Sequence, residues 1–213
     1  MAGLLNWGRH RDASVGEPVD ADVAHDPVVR SKVLPRFLTV LDRRPDPVLL
    51  DLGSVVGPNV NFFGERLSCR ILVRDLFEDI EAHRRKGDEE GLLDVLSGRL
   101  PDAPNSVDGV LCWDIFDFLD EATGKQLAQQ LVRLLRPGGV LYGFFGTTPI
   151  DLTHYTRYVI EAEDAFRHRP YPATPSRRKV LLTREINRMF EGLEASEVVL
   201  LKSSTRETLF RKA

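Results

Sequence analysis

The chain has 213 residues, 42% of them hydrophobic, which is enough for one domain with a real core. Twenty-nine Lys and Arg stand against 32 Asp and Glu, giving a net charge of −3 and a pI near 6.0. That balance excludes a global nucleic-acid-binding field, and no apolar run approaches the ~18 residues of a membrane span.

Residues 1–26 carry scattered Gly, Pro and Asp with no period, and read as a flexible tail ahead of a domain at 27–213. The first residues place Leu4, Leu5 and Trp7 before Arg9 and Arg11 but lack the apolar core of a signal peptide, so a frayed tail is favoured over an interfacial anchor. From Val28 to Arg44, Val29, Val33, Leu34, Phe37, Leu38 and Leu41 recur at helical spacing. Pro35 interrupts them, which predicts one kinked helix or two short ones.

The stretch V-L-L-D-L-G-S-V-V-G, Val48 to Gly57, reads as a buried strand ending at Asp51, then a turn holding Gly53, Ser54 and Gly57. Pro58 opens a helix to about Leu67, with Val60, Phe63 and Leu67 inward. A strand, a glycine turn and a helix N-terminus make a ligand cradle, because free N–H groups of the first helical turn point at whatever sits there. A second strand, Arg70–Val73, ends at Arg74-Asp75, twenty-four residues after Asp51. An acid at that tip is where an α/β fold holds a ribose diol. Leu76 and Phe77 follow it directly.

Asp79 to Arg99 is charged and helical in part, and shows no clear third strand; Asp94 reads as an exposed helix acid. The clusters Arg84-Arg85-Lys86 and Arg177-Arg178-Lys179 read as solvated faces. Asn105-Ser106 is a turn, and Val107–Trp113 is a strand buried on both faces. Trp113 and Asp114 stand at its carboxyl end, with Asp117 one helical turn on. Ligands of open α/β sheets bind there, so Asp114 and Asp117 are the candidate catalytic residues. Glu121–Leu135 is an amphipathic helix with Leu127, Leu131, Leu134 and Leu135 on one face, stopped by Pro137-Gly138-Gly139. Val140–Phe145 is a further strand.

Thr147 to Lys179 holds Tyr155, Tyr158, Phe166, Tyr171, His154, His168 and several arginines. It reads as either a substrate cover or a surface insertion. A helix over Val180–Gly192 and closing strands at Val198–Leu201 and Thr208–Arg211 complete the chain. Cys69 and Cys112 lie inside apolar runs and read as free thiols of a reducing, cytoplasmic compartment, with no metal site.

The order D-x-G-x-x-x-G, a strand-end acid, D-G-V-L-C-W-D and L-L-R-P-G-G-V-L-Y-G resembles the class I S-adenosylmethionine-dependent methyltransferases from about Pro47 to Lys212. The resemblance implies a three-layer αβα Rossmann-like fold with a seven-stranded sheet, mostly parallel with an antiparallel C-terminal hairpin. It implies S-adenosylmethionine as cofactor, with Asp51, Gly53, Ser54, Gly57, Asp75, Leu76 and Trp113 beside it, and Asp114 or Asp117 orienting or deprotonating a small-molecule acceptor. The family's usual first motif has a third glycine where this chain has Val55, and a β-branched residue tolerates positive φ badly. An inactive methyltransferase-like scaffold with a protein partner is therefore the alternative reading. No N-P-P-Y type motif follows the fourth strand, which lowers nucleic-acid and protein-glutamine acceptors. The absence of G-x-G-x-x-G lowers a nicotinamide dehydrogenase.

Overall fold

The computed structural model describes residues 28–87, 91–100 and 103–213, so the expected tail at 1–26 lies outside the described residues. The elements, in chain order, are β1 (Val28–Arg30), α1 (Leu34–Asp42), β2 (Val48–Asp51), α2 (Gly57–Leu67), β3 (Arg70–Val73), α3 (Leu76–Lys86), α4 (Leu92–Arg99), β4 (Val107–Trp113), a 3-10 turn (Ile115–Phe118), α5 (Glu121–Leu134), β5 (Leu135–Gly146), β6 (Asp151–Ala162), β7 (Ala165–Arg177), α6 (Thr183–Met189), β8 (Leu193–Leu201) and β9 (Thr205–Lys212).

The central sheet runs β3-β2-β4-β5-β9-β8. Strands β3, β2, β4 and β5 are parallel, and β9 and β8 close the sheet antiparallel. Alternate residues of each strand face opposite layers. Leu49, Leu111, Val140 and Tyr142 pack with α1 and α2, whereas Leu50, Val110, Cys112 and Leu141 pack with α3, α4, α5 and α6. Strands coated on both faces need continuous apolar runs, and that is what V-L-L and V-L-C-W supply. The sheet has six strands rather than the expected seven. Where a strand between α3 and β4 was anticipated, the described chain forms α4 and leads straight into β4.

Other boundaries moved for local reasons. Val28–Arg30 is an extended strand rather than a helical turn, and Pro35 lies in the first turn of α1, where it interrupts nothing. On α2, Asn59 is buried while Val60 is 37% exposed, so the polar residue takes the inward place expected for the valine. α5 stops at Leu134, and Pro137-Gly138-Gly139 falls within β5, where the pairing with β4 slips between Val107 and Gly109.

The segment 147–179 folds mainly as the β6–β7 hairpin, and β1 pairs with β7 to make a second sheet, β1-β7-β6. Side chains of α2 and α3 fasten this sheet to the helices. Asn59 of α2 donates from Nδ2 to the Tyr158 carbonyl at 2.7 Å and accepts from the Ile160 N–H at 2.8 Å. Glu81 of α3 accepts from the Thr174 N–H, the Thr174 hydroxyl and the Tyr155 hydroxyl. Arg84 donates to Ser176 Oγ at 2.7 Å and to the Phe118 carbonyl at 2.5 Å. Arg84 thus turns inward from its basic cluster, as does Arg178, whose Nε lies 2.8 Å from Asp117 Oδ2, whereas Arg85, Arg177 and Lys179 stay solvated as expected. Cys69 and Cys112 are both free thiols, as expected.

Candidate active site

Chain order reverses between β2 and β4: β3 lies to one side of β2, and β4 returns on the other. The carboxyl ends of these neighbours bring Asp51, Trp113 and Asp114 together at the switch point. Asp51 Oδ1 accepts the Gly53 N–H at 2.9 Å and the Trp113 Nε1–H at 2.7 Å. Burial dominates over these bonds and pushes the Asp51 pKa up to about 6. Asp51 therefore organises the turn that follows β2.

Trp113 adopts φ +52°, a left-handed conformation that a bulky residue holds only when its surroundings enforce it. Its ring lies parallel to Tyr158 of the hairpin, with centroids 5.1 Å apart, and edge-on to Phe166 and Tyr142. A Cβ on Gly53 would sit 2.6 Å from Trp113 Cδ1. Here Gly53 is required by an indole, and its backbone is covered on that side.

Val55 does not take positive φ and is 67% exposed, so the branched side chain points to solvent and the turn accommodates it. Gly57 opens α2, and a Cβ there would meet nothing within 4 Å. Ser54 Oγ and the Tyr171 hydroxyl are 2.9 Å apart, which joins the turn to β7.

Asp75 caps α3: its Oδ1 accepts the Phe77 and Glu78 N–H groups at 3.1 and 3.2 Å, leaving Oδ2 without a protein donor among the described residues. It lines two adjoining cavities of about 400 Å³ each. One opens between α3 and the hairpin, walled by Ser54, Phe77, Glu81, Tyr155, Arg157 and Tyr171. The other reaches Val73 and Arg99. Leu76 is fully buried in the core and touches neither cavity; Phe77 lines the first.

Asp114 and Asp117 are buried beneath the hairpin. Asp117 accepts the Gly146 N–H at 3.0 and 3.2 Å, and its Oδ2 lies 2.8 Å from Arg178 Nε. Burial raises its pKa to about 6 against the pull of Arg178. Asp114 stands beside the Tyr158 hydroxyl, yet burial first and the charge of Asp117 second push its pKa to about 7. Its Oδ1 is buried with no hydrogen-bond partner among the described residues. His154 is exposed; His168 is half-buried against the Tyr158 ring, and desolvation lowers its pKa. Sequence reasoning missed the tie of Asn59 to β6, that of Glu81 to the hairpin and the pairing of Arg178 with Asp117, because these partners lie 61 to 101 residues away with no local pattern to announce them. Among the described residues no cluster of His, Cys, Asp and Glu has a metal-binding arrangement.

A methyltransferase-domain family profile matches residues 50–143, which span β2 through most of β5 and include Asp51, Asp75, Trp113 and Asp114. The chain belongs to the class I S-adenosylmethionine-dependent methyltransferase family. A curated relative in this family, the sarcosine/dimethylglycine N-methyltransferase of Halorhodospira halochloris, is 30% identical over 151 residues. That alignment covers 68% of this methyltransferase-family chain and only 50% of the relative. Two solved structures share the fold at TM-score 0.52. The PH0226 protein of Pyrococcus horikoshii OT3 is 14% identical, covering 85% of this chain and 88% of its own. An S-adenosylmethionine-dependent methyltransferase of Clostridium acetobutylicum ATCC 824 is 12% identical, covering 87% and 93%.

Proposed function

We propose that this protein transfers the methyl group of S-adenosylmethionine to a small-molecule acceptor. The observation that carries the reading is Asp75. It is a strand-end carboxylate with one oxygen spent on the α3 cap and the other without a protein donor, set at the junction of two cavities. A cis-diol supplies the two hydroxyl donors that such an oxygen lacks. The cavity wall mixes charge and rings: Asp75, Glu78 and Glu81 contribute carboxylates, Arg85 and Arg157 guanidinium groups, and Phe77, Tyr155 and Tyr171 aromatic rings.

Asp75 and Ser54 would hold the nucleoside side of the cofactor. Trp113 covers one side of Gly53, so the cofactor would approach that glycine from the other side. When bound, the cofactor supplies a reactive sulfonium methyl, and the protein's work is to orient the acceptor, exclude water and take its proton. Asp114 suits the last task. Its unpartnered oxygen is a ready acceptor, and a pKa of about 7 balances basicity against occupancy near neutral pH. The hairpin covers this acid and excludes water from it. Asp117, already held by Gly146 and Arg178, positions the turn that carries Asp114.

Calorimetric titration with S-adenosylhomocysteine tests the reading. Asp75→Ala would remove the α3 cap together with the ligand contact, so Asp75→Asn, which keeps the cap, is the informative variant. Wild type should bind in the micromolar range, and Asp75→Asn should bind at least tenfold more weakly with its thermal midpoint nearly unchanged. No binding by wild type at millimolar ligand overturns the function; equal binding by both overturns the Asp75 assignment. Sarcosine and dimethylglycine, after the relative's name, head the acceptor screen.

A further inference from the structure

β8 ends the central sheet: β9 bonds one of its edges, and among the described residues no strand bonds the other. The two halves of β8 treat that free edge differently. The first half carries Glu194 and Glu197, with a register slip between Ala195 and Glu197. Charges and bulges of this kind blunt an edge. The second half is Val198-Val199-Leu200-Leu201, followed by Lys202. Val198 and Leu200 are 52% and 69% exposed on one face, beside a shallow apolar groove of about 470 Å³ lined by Val180, Leu181 and Leu182. On the opposite face, Val199 and Leu201 join Val28 and Val29 in a second groove of about 440 Å³. A strand laid along this edge would satisfy the open backbone groups and seat its side chains in apolar grooves on both faces.

Charge selects the occupant. The acidic half of β8 turns its carboxylates toward the α1 face, where Glu197 has only a 3.9 Å contact with Arg36 and Glu194 has no ion pair among the described residues. The apolar half is flanked on that same face by Lys32, with Lys202 beyond its end, and neither lysine has a carboxylate partner among the described residues. An antiparallel copy of β8 sets each acidic half against the other's basic half, twice over.

We propose that a second copy of this chain occupies the edge, through antiparallel β8–β8 pairing about a two-fold axis within Val198–Leu200, so that the two central sheets become one. An isologous contact of this kind closes on itself and forms a dimer, not a fibre. Each protomer's Glu194 and Glu197 then face Lys32 and Lys202 of the partner subunit.

Sedimentation equilibrium of the full chain tests this. Wild type should be a dimer at tens of micromolar, in the range of ordinary specific interfaces. The acid reversal Glu194→Lys with Glu197→Lys should weaken association at least tenfold, as should the base reversal Lys32→Glu with Lys202→Glu. Combining all four restores the complementarity and should restore the dimer. The Leu200→Lys variant should be monomeric and folded, since that side chain is exposed. A monomeric wild type overturns the proposal, as does a dimer indifferent to both reversals and to Leu200→Lys. Hydrogen exchange identifies a competing occupant: β8 amides protected equally at all concentrations would mean that the chain's own residues 1–27 cover the edge, which also overturns it.

Discussion

Replacing Asp114 by asparagine exchanges a buried carboxyl for a group of the same shape that cannot ionise. Asp114 is 7% exposed, and burial, reinforced by Asp117, lifts its pKa from 3.8 to about 7. Because the folded value lies above the unfolded one, the folded protein between about pH 4 and pH 7 keeps a proton that the unfolded chain has released. Wild-type stability therefore falls as pH rises through that window and levels off above it. At 1.36 kcal/mol per pH unit the full effect approaches ~4 kcal/mol; sharing the site with the titration of Asp117 reduces it to about 2–4 kcal/mol. Asp114→Asn has no such proton to lose. In urea unfolding at several pH values, the variant should gain on wild type by roughly 1 kcal/mol per unit from about pH 5 to pH 7, with m unchanged. Methyl transfer by the variant should be lost. Parallel pH profiles for the two proteins would refute the reasoning, because they would mean that Asp114 does not titrate in this window. A variant less stable than wild type above pH 7 would show that a positive neighbour stabilises the ionised form.

Two further perturbations read the joints around the site. Asn59→Ala removes both bonds that fasten β6 to α2 and leaves the Tyr158 carbonyl and the Ile160 N–H buried without partners. It should cost about 2–4 kcal/mol, with faster hydrogen exchange confined to β6 and β7; a loss spread evenly over the chain would show that the sheet and domain do not separate. Gly53→Ala puts a methyl 2.6 Å from Trp113 Cδ1 and 2.7 Å from Nε1, which forces the indole off Asp51. It should cost roughly 1–3 kcal/mol and shift tryptophan emission to the red, and an unchanged spectrum would show that the turn yields instead of the ring.

The central sheet was legible because its strands are coated on both faces. Val48–Asp51, Arg70–Val73 and Val107–Trp113 are short apolar runs bounded by turn residues, and each strand has the limits read from sequence. The hairpin was not legible. Its connection, Ala162-Glu163-Asp164-Ala165, holds no glycine to announce a tight turn. The second strand contains Pro170, Pro172 and Pro175, which argue against a strand with partners on both sides. They are tolerated because β1 pairs with Ala165, Phe166 and Arg167, and beyond Arg167 no strand among the described residues pairs with the outer edge of β7 and needs an N–H there. The missing strand before β4 follows from composition as well. Leu92–Arg99 has apolar residues at Leu92, Leu93, Val95 and Leu96, broken by Asp94, and buries Leu92 and Leu96, a helical spacing, where a buried strand would need a continuous run.

At the site, sequence located the acids but could not assign their work, because that depends on which oxygens remain unpaired after folding. Asp51 ends β2, Asp114 follows β4 and Asp117 lies in the 3-10 turn beyond it, and all three have pKa values raised chiefly by burial. Burying three carboxylates is expensive, so each must be matched by donors or retained for its reactivity. Asp51 is matched by Gly53 and Trp113, and Asp117 by Gly146 and Arg178. Their burial is explained by the loops they hold. Asp114 alone of the three keeps a buried oxygen with no donor among the described residues, beneath a hairpin fastened by Asn59, Glu81 and Arg84. Tyr158 stands beside Asp114, and Oδ1 stays available for the acceptor's proton in the proposed reaction. The one left unmatched is the one to which the chemistry is assigned.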